Sequence, residues 1–470
     1  MNYIEIVNLV FFILSCVSAL ICIQFAFFSI VGLFGRKKFP KTDEKLKYGI
    51  IIPARNEEAV VGNLIKSVYK NNYPKDKLHV FVIAHNCDDK TAEISRGLGA
   101  TVYEYNNPNE RTMGYAFRYL FDRIREDYGV ENYDGFFLFN ADNILDEEYF
   151  NKMNDAFVAN GKTKVITSFR NSKNFGSNVI SAMYGIYFMQ GCRFESRGRT
   201  LCGCSTRVQG TGYVISSEIV KDGWPYVTLT EDWEFSADQI IRNNKIVYCD
   251  EAVFYDEQPT SVKIMLRQRL RWAKGHLLVC LTRYRDLLKG IFKPKRKGGG
   301  NFKFSLYDMS VNILPLCIVT TVLFLANVIC IALAPLFGFD AAEVWTNWAI
   351  NFGYGAAGFY AVNFLAGLVL LIAEHKRVKN VNFFVLLGAL LFWPLFLFVS
   401  IPLEVLCLFK KDVGWKTIPH NDTTTFEQIN DRIDDGNSDI DNVDGDCADN
   451  SDDADSAEND DNRGDGTEEG

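Results

Sequence analysis

Charge is almost missing from residues 7–35, a stretch long enough to cross the hydrocarbon core of a membrane. No basic region precedes it and the apolar run is long, which argues against a cleaved signal peptide. A disulfide frame is missing too. The 12 cysteines are scattered, and Cys16, Cys22, Cys317, Cys330 and Cys407 sit in apolar runs where the thiol acts as a small hydrophobe. Cys192, Cys202 and Cys204 form the only cluster. With no second pair or nearby histidine they make a poor zinc site, and the pattern fits a reducing compartment. Large apolar residues are almost absent from Asn421 onward, so this tail cannot offset its chain entropy and is expected to be disordered. It also lacks the spacing and closing Glu of an EF-hand, which excludes a tight calcium site of that kind.

What remains is rich in apolar and aromatic residues: 48% of the 470 residues are hydrophobic and 37 are Phe. The formal charge of −8 is unevenly spread. Residues 421–470 hold 19 Asp and Glu against two Arg, a net −17, which leaves +9 on the first 420 residues. A basic body suits an anionic nucleotide-sugar and an anionic membrane face, and equally suits basic cytoplasmic loops. No nucleic-acid partner is expected.

Five segments follow. Residues 1–38 are a membrane helix with a basic flank; Arg36, Lys37, Lys38 and Lys41 put the N-terminus outside and the following chain in the cytoplasm. Residues 45–258 read as an α/β domain. Short β-rich runs (Tyr48–Ile52, Val80–Ala84, Gly135–Phe139, Val165–Phe169, Lys245–Tyr248) alternate with helical patterns (Glu57–Tyr69, Thr91–Leu98, Asp146–Phe157), which predicts a mostly parallel sheet. Residues 259–300 mix apolar and basic side chains as an interfacial helix does, and end in a basic, glycine-containing linker. Residues 305–412 hold apolar stretches at about 309–336, 348–373 and 382–409. Here the charge rule conflicts with a simple count. Lys376, Arg377 and Lys379 want one loop inside, Lys410, Lys411 and Lys416 want the next inside too, and one span cannot separate them. Pro394 and Pro402 break the last stretch, so part of it is expected to be interfacial or re-entrant, with Trp415 cytoplasmic. Residues 421–470 are the acidic tail. Gly353-Tyr-Gly-Ala-Ala-Gly358 matches a dinucleotide fingerprint, but inside an apolar helix close packing through small residues is the expected reading.

The chemistry-bearing residues cluster at strand ends, where open α/β sheets bind ligands. Pro53, Arg55, Asn56 and Glu57 follow the first run and are placed for nucleotide contact; His85 and Asn86 follow the second and can bond a base edge. Asp142, in Asn140-Ala-Asp-Asn143, offers a hard oxygen ligand for Mg²⁺ or Mn²⁺, which would neutralise a leaving diphosphate. Gly210-Thr211-Gly212 gives backbone freedom for close approach of a sugar. Adjacent Glu231 and Asp232 offer a base for an acceptor hydroxyl. Gln268, Arg271 and Trp272 fall at i, i+3 and i+4, one face of a helix, where Arg can hold a diphosphate and Trp can stack on a sugar.

In this order the motifs resemble the membrane-embedded family 2 glycosyltransferases, the group that includes synthases of cellulose, hyaluronan and poly-N-acetylglucosamine. The resemblance covers roughly residues 48–290. It implies an α/β GT-A domain (a nucleotide-diphospho-sugar transferase fold), cytoplasmic, on α-helical transmembrane segments of a multi-pass cell-membrane protein. It further implies inverting transfer from a UDP-sugar to a growing polysaccharide or a lipid-linked acceptor, with membrane lipids as partners. In that pattern Asp142 holds the metal, Asn140 lies near the ribose, Asp232 is the base with Glu231 beside it, and Gly210–Gly212, Gln268, Arg271 and Trp272 serve acceptor and diphosphate. Three positions depart from the pattern. His85 and Asn140 stand where relatives carry Asp, and Met113 stands where they often carry Lys. These leave the base identity open and keep a catalytically inactive nucleotide-sugar-binding scaffold as the alternative.

Overall fold

The computed structural model describes residues 1–293, 302–378, 381–411, 413–414, 418–429 and 431. Strands β1 (Tyr48–Ala54), β2 (Leu78–His85), β3 (Thr101–Tyr105), β4 (Gly135–Leu138), β5 (Ile144–Leu145), β6 (Val165–Ser172), β7 (Tyr213–Ser216) and β8 (Ile246–Asp256) form one sheet in the order β3-β2-β1-β4-β7-β6-β8-β5. The half β3-β2-β1-β4 is parallel, β7 runs antiparallel to both its neighbours, and β6 and β8 pair in parallel. Helices α1 (Tyr3–Phe34), α2 (Val61–Lys70), α3 (Thr91–Gly97), α4 (Met113–Asp127), α5 (Tyr149–Ala159), α6 (Val179–Gln190), α7 (Gly198–Leu201), α8 (Ser217–Val220) and α9 (Glu231–Ile241) accompany it. The runs of β1 and β2 are continuously apolar because both faces are covered. Ile50, Ile52, Val80 and Val82 enter one core with Phe137 and Val61, while Ile51, Phe81 and Ile83 enter the other with Phe117 and Phe136.

All five predicted strands are present, and three more join them. β3 is a half-exposed edge strand with polar residues, β5 is two residues long, and β7 follows directly on Gly212. None of the three carries an apolar run that stands out in the sequence.

After the sheet come α10 (Val262–Phe292), α11 (Phe302–Ile313), α12 (Leu316–Leu333), α13 (Ala341–Ala373), α14 (Phe383–Phe398) and α15 (Ser400–Phe409). Four stretches, Tyr3–Phe34, Leu316–Phe337, Ala341–Ala373 and Phe383–Phe409, are long and apolar enough to cross a membrane. The predicted stretch at 309–336 begins too early. Pro315 lacks the N–H that would continue a helix, so α11 is a separate helix whose Leu306, Met309 and Ile313 pack on Ala237, Ile240, Val279 and Leu287. The 32 residues of α1 span about 48 Å at 1.5 Å per residue. Its far end reaches the α12–α13 corner, where the Tyr3 hydroxyl donates to the Cys330 carbonyl (2.8 Å). Its near end lies against α7: a Cβ on Gly32 would sit 2.2 Å from the Arg193 carbonyl, and one on Gly198 2.1 Å from that of Phe28. Only glycines permit that approach.

The last apolar stretch does not separate its two ends. Before α14, Val381 lies against Gly176 of the α/β domain, and Arg377 reaches the Asp250 carboxylate (3.2 Å). α14 then runs beside α13, with the Tyr360 hydroxyl donating to the Leu391 carbonyl and Phe359 meeting Phe398. The chain breaks at Val399, and α15 returns along α10: Lys274 donates to the Cys407 carbonyl (3.1 Å), and Ile418 and His420 line a pocket of the α/β domain. Both ends of this stretch therefore lie against the α/β domain or α10; Lys379, Trp415 and Lys416, like most of the 293–300 linker, lie outside the described residues.

Two expectations are corrected. Gly353, Gly355 and Gly358 have open space where a side chain would stand, so these three glycines are not used for close packing within this chain. The tail does not lose order at Asn421. Residues 421–429 are bound to the α/β domain: the Asn421 and Asp422 amides donate to Glu257, Asn63 and Lys173 donate to the carbonyls of Thr423 and Asp422, and Ile429 is buried. The acidic residues 432–470 lie outside the described residues.

Candidate active site

Two adjoining cavities of about 260 and 130 Å³ open at the carboxyl ends of β1, β2 and β4 and share Met113, Asn140, Gln268 and Arg271 as walls. The smaller is lined by Pro53, Arg55, Glu57 and His85 from β1 and β2, and by Ile418 and His420 from the returning chain. The larger holds Gly210, Glu231, Asp232 and Trp272, and extends to Ser400, Leu403 and Glu404 on α15.

The turn after β1 and the turn after β2 hold each other. Asn56 and Asn86 both adopt left-handed backbone (φ 56° and 53°), which Asn tolerates better than most residues. The Asn56 side chain accepts from the Asp88 amide (3.0 Å), and Asp89 accepts from the amides of Glu58 and Thr91. Asn86 spends its amide on the 107–110 loop, accepting from the Asn107 N–H (2.7 Å) and donating to the Asn107 carbonyl (3.1 Å). Asn56 and Asn86 thus shape the pocket, and neither is among its walls. His85 is. It is 3% exposed and stacks on Tyr105, and burial lowers its pKa, so the ring is neutral. Its Nε2 donates to the Glu110 carbonyl (2.7 Å), which leaves Nδ1 as an acceptor.

Asn140 and the glycine turn form a second brace. The Thr211 hydroxyl accepts from the Asn140 amide (2.9 Å) and donates to the Asn143 side chain, while the Gly212 amide donates to the Leu138 carbonyl (2.9 Å). Gly210 and Gly212 have φ of 81° and 67°, and a Cβ on Gly212 would meet the Phe254 ring at 2.0 Å, so this turn requires glycine on both counts. A Cβ on Gly210 would stand 3.6 Å from Asp232 Oδ2, which puts the turn beside the carboxylates. Thr211 itself is buried and acts through the brace.

Asp142 is 3% exposed, and its Oδ2 accepts from the Glu257 amide (2.8 Å). Sequence reasoning missed its surroundings. His420 Nδ1 meets the Glu57 carboxylate (2.9 Å). Burial opposes its charge, but the carboxylates of Asp142, Glu57 and Glu257 outweigh burial and raise His420 to about 9. Glu57 is raised by burial against the pull of His420. Three carboxylates around one imidazolium are an acidic environment that fits a divalent cation at Asp142. Among the described residues, no three His, Cys, Asp or Glu side chains converge tightly enough to hold a metal alone. The one signal for His420 was its place: it ends the last apolar-containing segment, one residue before the composition turns acidic.

In the larger cavity Glu231 and Asp232 open α9. Burial raises both, Glu231 to about 8 with the neighbouring Asp232 charge adding to it, so the pair tends to keep one proton near neutrality. Arg271 opposes both shifts; burial lowers its own pKa, and it donates to the Leu229 carbonyl just before the pair (3.3 Å). Trp272 lies nearly parallel to Tyr187, centroids 6.3 Å apart, with Tyr184 and Phe188 edge-on. The predicted helical face of Gln268, Arg271 and Trp272 is thus the cleft wall. Near Met113, which stands where relatives often carry Lys, Arg118 reaches the carbonyls of Trp224 and Pro225, while Arg111 is close enough to Arg55 to lower its pKa after burial has done so.

Residues 46–275 match the family described as "Glycosyltransferase like family 2". The chain carries a family 2 glycosyltransferase domain with the GT-A fold. It is 26% identical over 274 residues to "Probable glycosyltransferase YdaM" of Bacillus subtilis (strain 168), covering 56% of this chain and 62% of that one. It is 22% identical over 267 residues to a poly-beta-1,6-N-acetyl-D-glucosamine synthase of Staphylococcus epidermidis, covering 54% and 61%. The chain thus spans about three fifths of the length of these relatives. Among solved structures it resembles a mannosyltransferase of Pyrobaculum calidifontis in complex with GDP-Man and Mn²⁺, with TM-score 0.52 at 14% identity over 80% of this chain and 99% of that one. That likeness is one of fold.

Proposed function

We propose that this chain is an inverting, metal-dependent glycosyltransferase that moves a sugar from a UDP-sugar onto a growing polysaccharide at the membrane. The observation that carries the reading is the joining of a strand-end nucleotide cavity to one holding Asp232, Arg271 and Trp272, through shared walls. Pro53, Arg55 and His85 would hold the nucleoside, with Asn140 toward the ribose. Asp142 would hold Mg²⁺ or Mn²⁺, and the ion would offset the charge of the leaving group. The acceptor hydroxyl forms its bond to the anomeric carbon as the bond from that carbon to the diphosphate breaks. Asp232 takes the hydroxyl proton. Its raised pKa suits it to that task, and Glu231 beside it keeps the local charge low. Arg271 would hold the diphosphate, and Trp272 would give the acceptor ring a flat face. The poly-N-acetylglucosamine synthase relatives support a polysaccharide product.

In the membrane, α1, α12 and α13 would cross, with the α/β domain in the cytoplasm beside the basic loops, and α14–α15 would enter and return from that side. The test is UDP or GDP release from a panel of UDP- and GDP-sugars with Mn²⁺ or Mg²⁺, beside Asp232→Asn. Metal-dependent release from one donor, lost in the variant while nucleotide still binds, is expected. Nucleotide binding with no release from any donor would replace the enzyme with a nucleotide-sugar-binding scaffold.

A further inference from the structure

The larger cavity carries hydrogen-bonding capacity that the roles above leave unused. Six of its wall atoms are buried without a partner: the donor Arg207 Nε, and Gln209 Oε1, Thr230 Oγ1, Gln268 Oε1, His276 Nε2 and Glu404 Oε2. Five of the six are acceptors. His276 bonds the Asn312 backbone through its other nitrogen, and burial lowers its pKa to about 4, so Nε2 is a bare lone pair. The amide and carboxylate oxygens are acceptors too, and Thr230 can accept. Buried acceptors left unpaired cost free energy, and this concentration in one cavity matches a ligand rich in O–H donors.

Glu404 differs from the other four acceptors in coming from the apolar return helix. Ser400, Leu403 and Glu404 lie at i, i+3 and i+4, so one face of α15 forms the membrane-side wall of the cavity. An ionisable residue in an apolar segment is expensive and marks function by default. Its carboxylate is fixed from behind by the first turn of α12, through the backbone of Cys317 and Ile318 and the Cys317 thiol, while Oε2 remains without a partner. The cation on the same wall is already engaged: Arg269 donates to the Phe396 carbonyl and the Ser400 hydroxyl.

We infer that Glu404 is an acceptor-binding residue: its free carboxylate oxygen accepts a hydroxyl of the acceptor saccharide, whose reacting end lies between Trp272 and Asp232. This rests on the glycosyl-transfer reading and deepens it. The acceptor end presented to Glu404 is a neutral, hydroxyl-rich sugar, because a fixed carboxylate disfavours an anionic lipid phosphate beside it.

The test uses full-length protein in detergent or nanodiscs, with wild type, Glu404→Ala and Glu404→Gln. Cellotetraose, chitotetraose and mannotetraose serve as acceptors, and undecaprenyl phosphate as the anionic competitor. For Glu404→Ala the acceptor KM is expected to rise roughly 10- to 100-fold, the loss typical of a hydrogen bond to a charged group. Glu404→Gln, which keeps a carbonyl acceptor, should lose less. Donor KM, nucleotide binding and acceptor-independent donor hydrolysis should stay at wild-type values in both, which a merely structural cap on α12 would not ensure. An unchanged acceptor KM in Glu404→Ala, an equal rise in donor KM, or preferred transfer to undecaprenyl phosphate would overturn the assignment while leaving glycosyl transfer intact. Failure of wild type to turn over any donor would overturn the underlying reading, and this assignment with it.

Discussion

Gly275 is where packing and chemistry meet most sharply. It lies on the buried side of α10, three residues after Trp272 and against the residue that precedes the two carboxylates. A Cβ there would stand 2.5 Å from Thr230 Cγ2 and 2.6 Å from Thr230 Oγ1, where ordinary contact begins near 3.4 Å. Gly275→Ala must therefore open the α10–Thr230 contact by about 1 Å, a gap the rigid, β-branched Thr230 cannot absorb by rotation. Overpacking of this kind costs about 1–3 kcal/mol, and replacing a helical glycine with alanine returns about 1 kcal/mol. The net effect on stability is small, between nothing and about 2 kcal/mol lost, so the fold survives. Catalysis has no such compensation. Thr230 leads directly into Glu231 and Asp232, and a 1 Å misplacement of a reacting group can cost about 100-fold. The expectation is a fall in kcat on the order of 10- to 100-fold with nucleotide affinity and thermal unfolding close to wild type. Steady-state UDP release, calorimetric UDP binding and a thermal melt read the three quantities. Gly353→Ala, in open space on α13, is the control and should be silent. An undiminished kcat in Gly275→Ala would refute the claim that this contact positions the base, and an equal loss of UDP affinity would point to general loosening.

The pH dependence of metal binding follows from His420. Its pKa is raised from 6.5 to about 9 by the carboxylates around Asp142, so the proton and a divalent ion compete for one acidic site. The proton's contribution is fully present below 6.5 and lost as pH rises through 9, so apparent Mn²⁺ affinity should gain about tenfold per pH unit from 7 to 9 and then level off. In His420→Gln that slope should vanish; a slope retained in the variant would place the competing proton elsewhere. A third expectation concerns the joint between sheet and membrane helices. Asp250, 2% exposed, faces Arg197 (2.6 Å) and Arg377 (3.2 Å), and Asp250→Asn leaves both buried guanidinium groups to one remaining carboxylate, Glu374 (3.3 and 3.4 Å). A loss of about 3–5 kcal/mol is expected, read as a lower unfolding temperature of the purified protein in detergent; an unchanged melt would show that Glu374 alone suffices. Asp142→Asn should abolish metal-dependent UDP release while metal-free nucleotide binding survives, and full activity in that variant would remove Asp142 from the metal site.

Much of the site was legible in the sequence because it is written in local pattern. Strand ends, the i, i+3, i+4 face of Gln268, Arg271 and Trp272, and the adjacent carboxylates are properties of short segments, and the sheet brings them to one cleft through hydrophobic alternation and crossover geometry alone. The departures at His85, Asn140 and Met113 were visible as letters, but their consequences were not. Only the fold sets Met113 as a shared wall of both cavities and commits the His85 Nε2 to a carbonyl. Asn56 and Asn86 looked like nucleotide contacts, yet their left-handed backbone turns their amides into braces for neighbouring loops.

The sequence by itself determined the α/β class, the apolar stretches and their basic flanks, because burial and charge are summed over neighbours in the chain. Tertiary structure alone decided what distant segments do to one another. It returned α15 beside α10, set Glu404 in the cavity wall, and brought His420 back 363 residues along the chain to Glu57. No local signal encodes such contacts, because each depends on where another segment's surface lies once the core has formed.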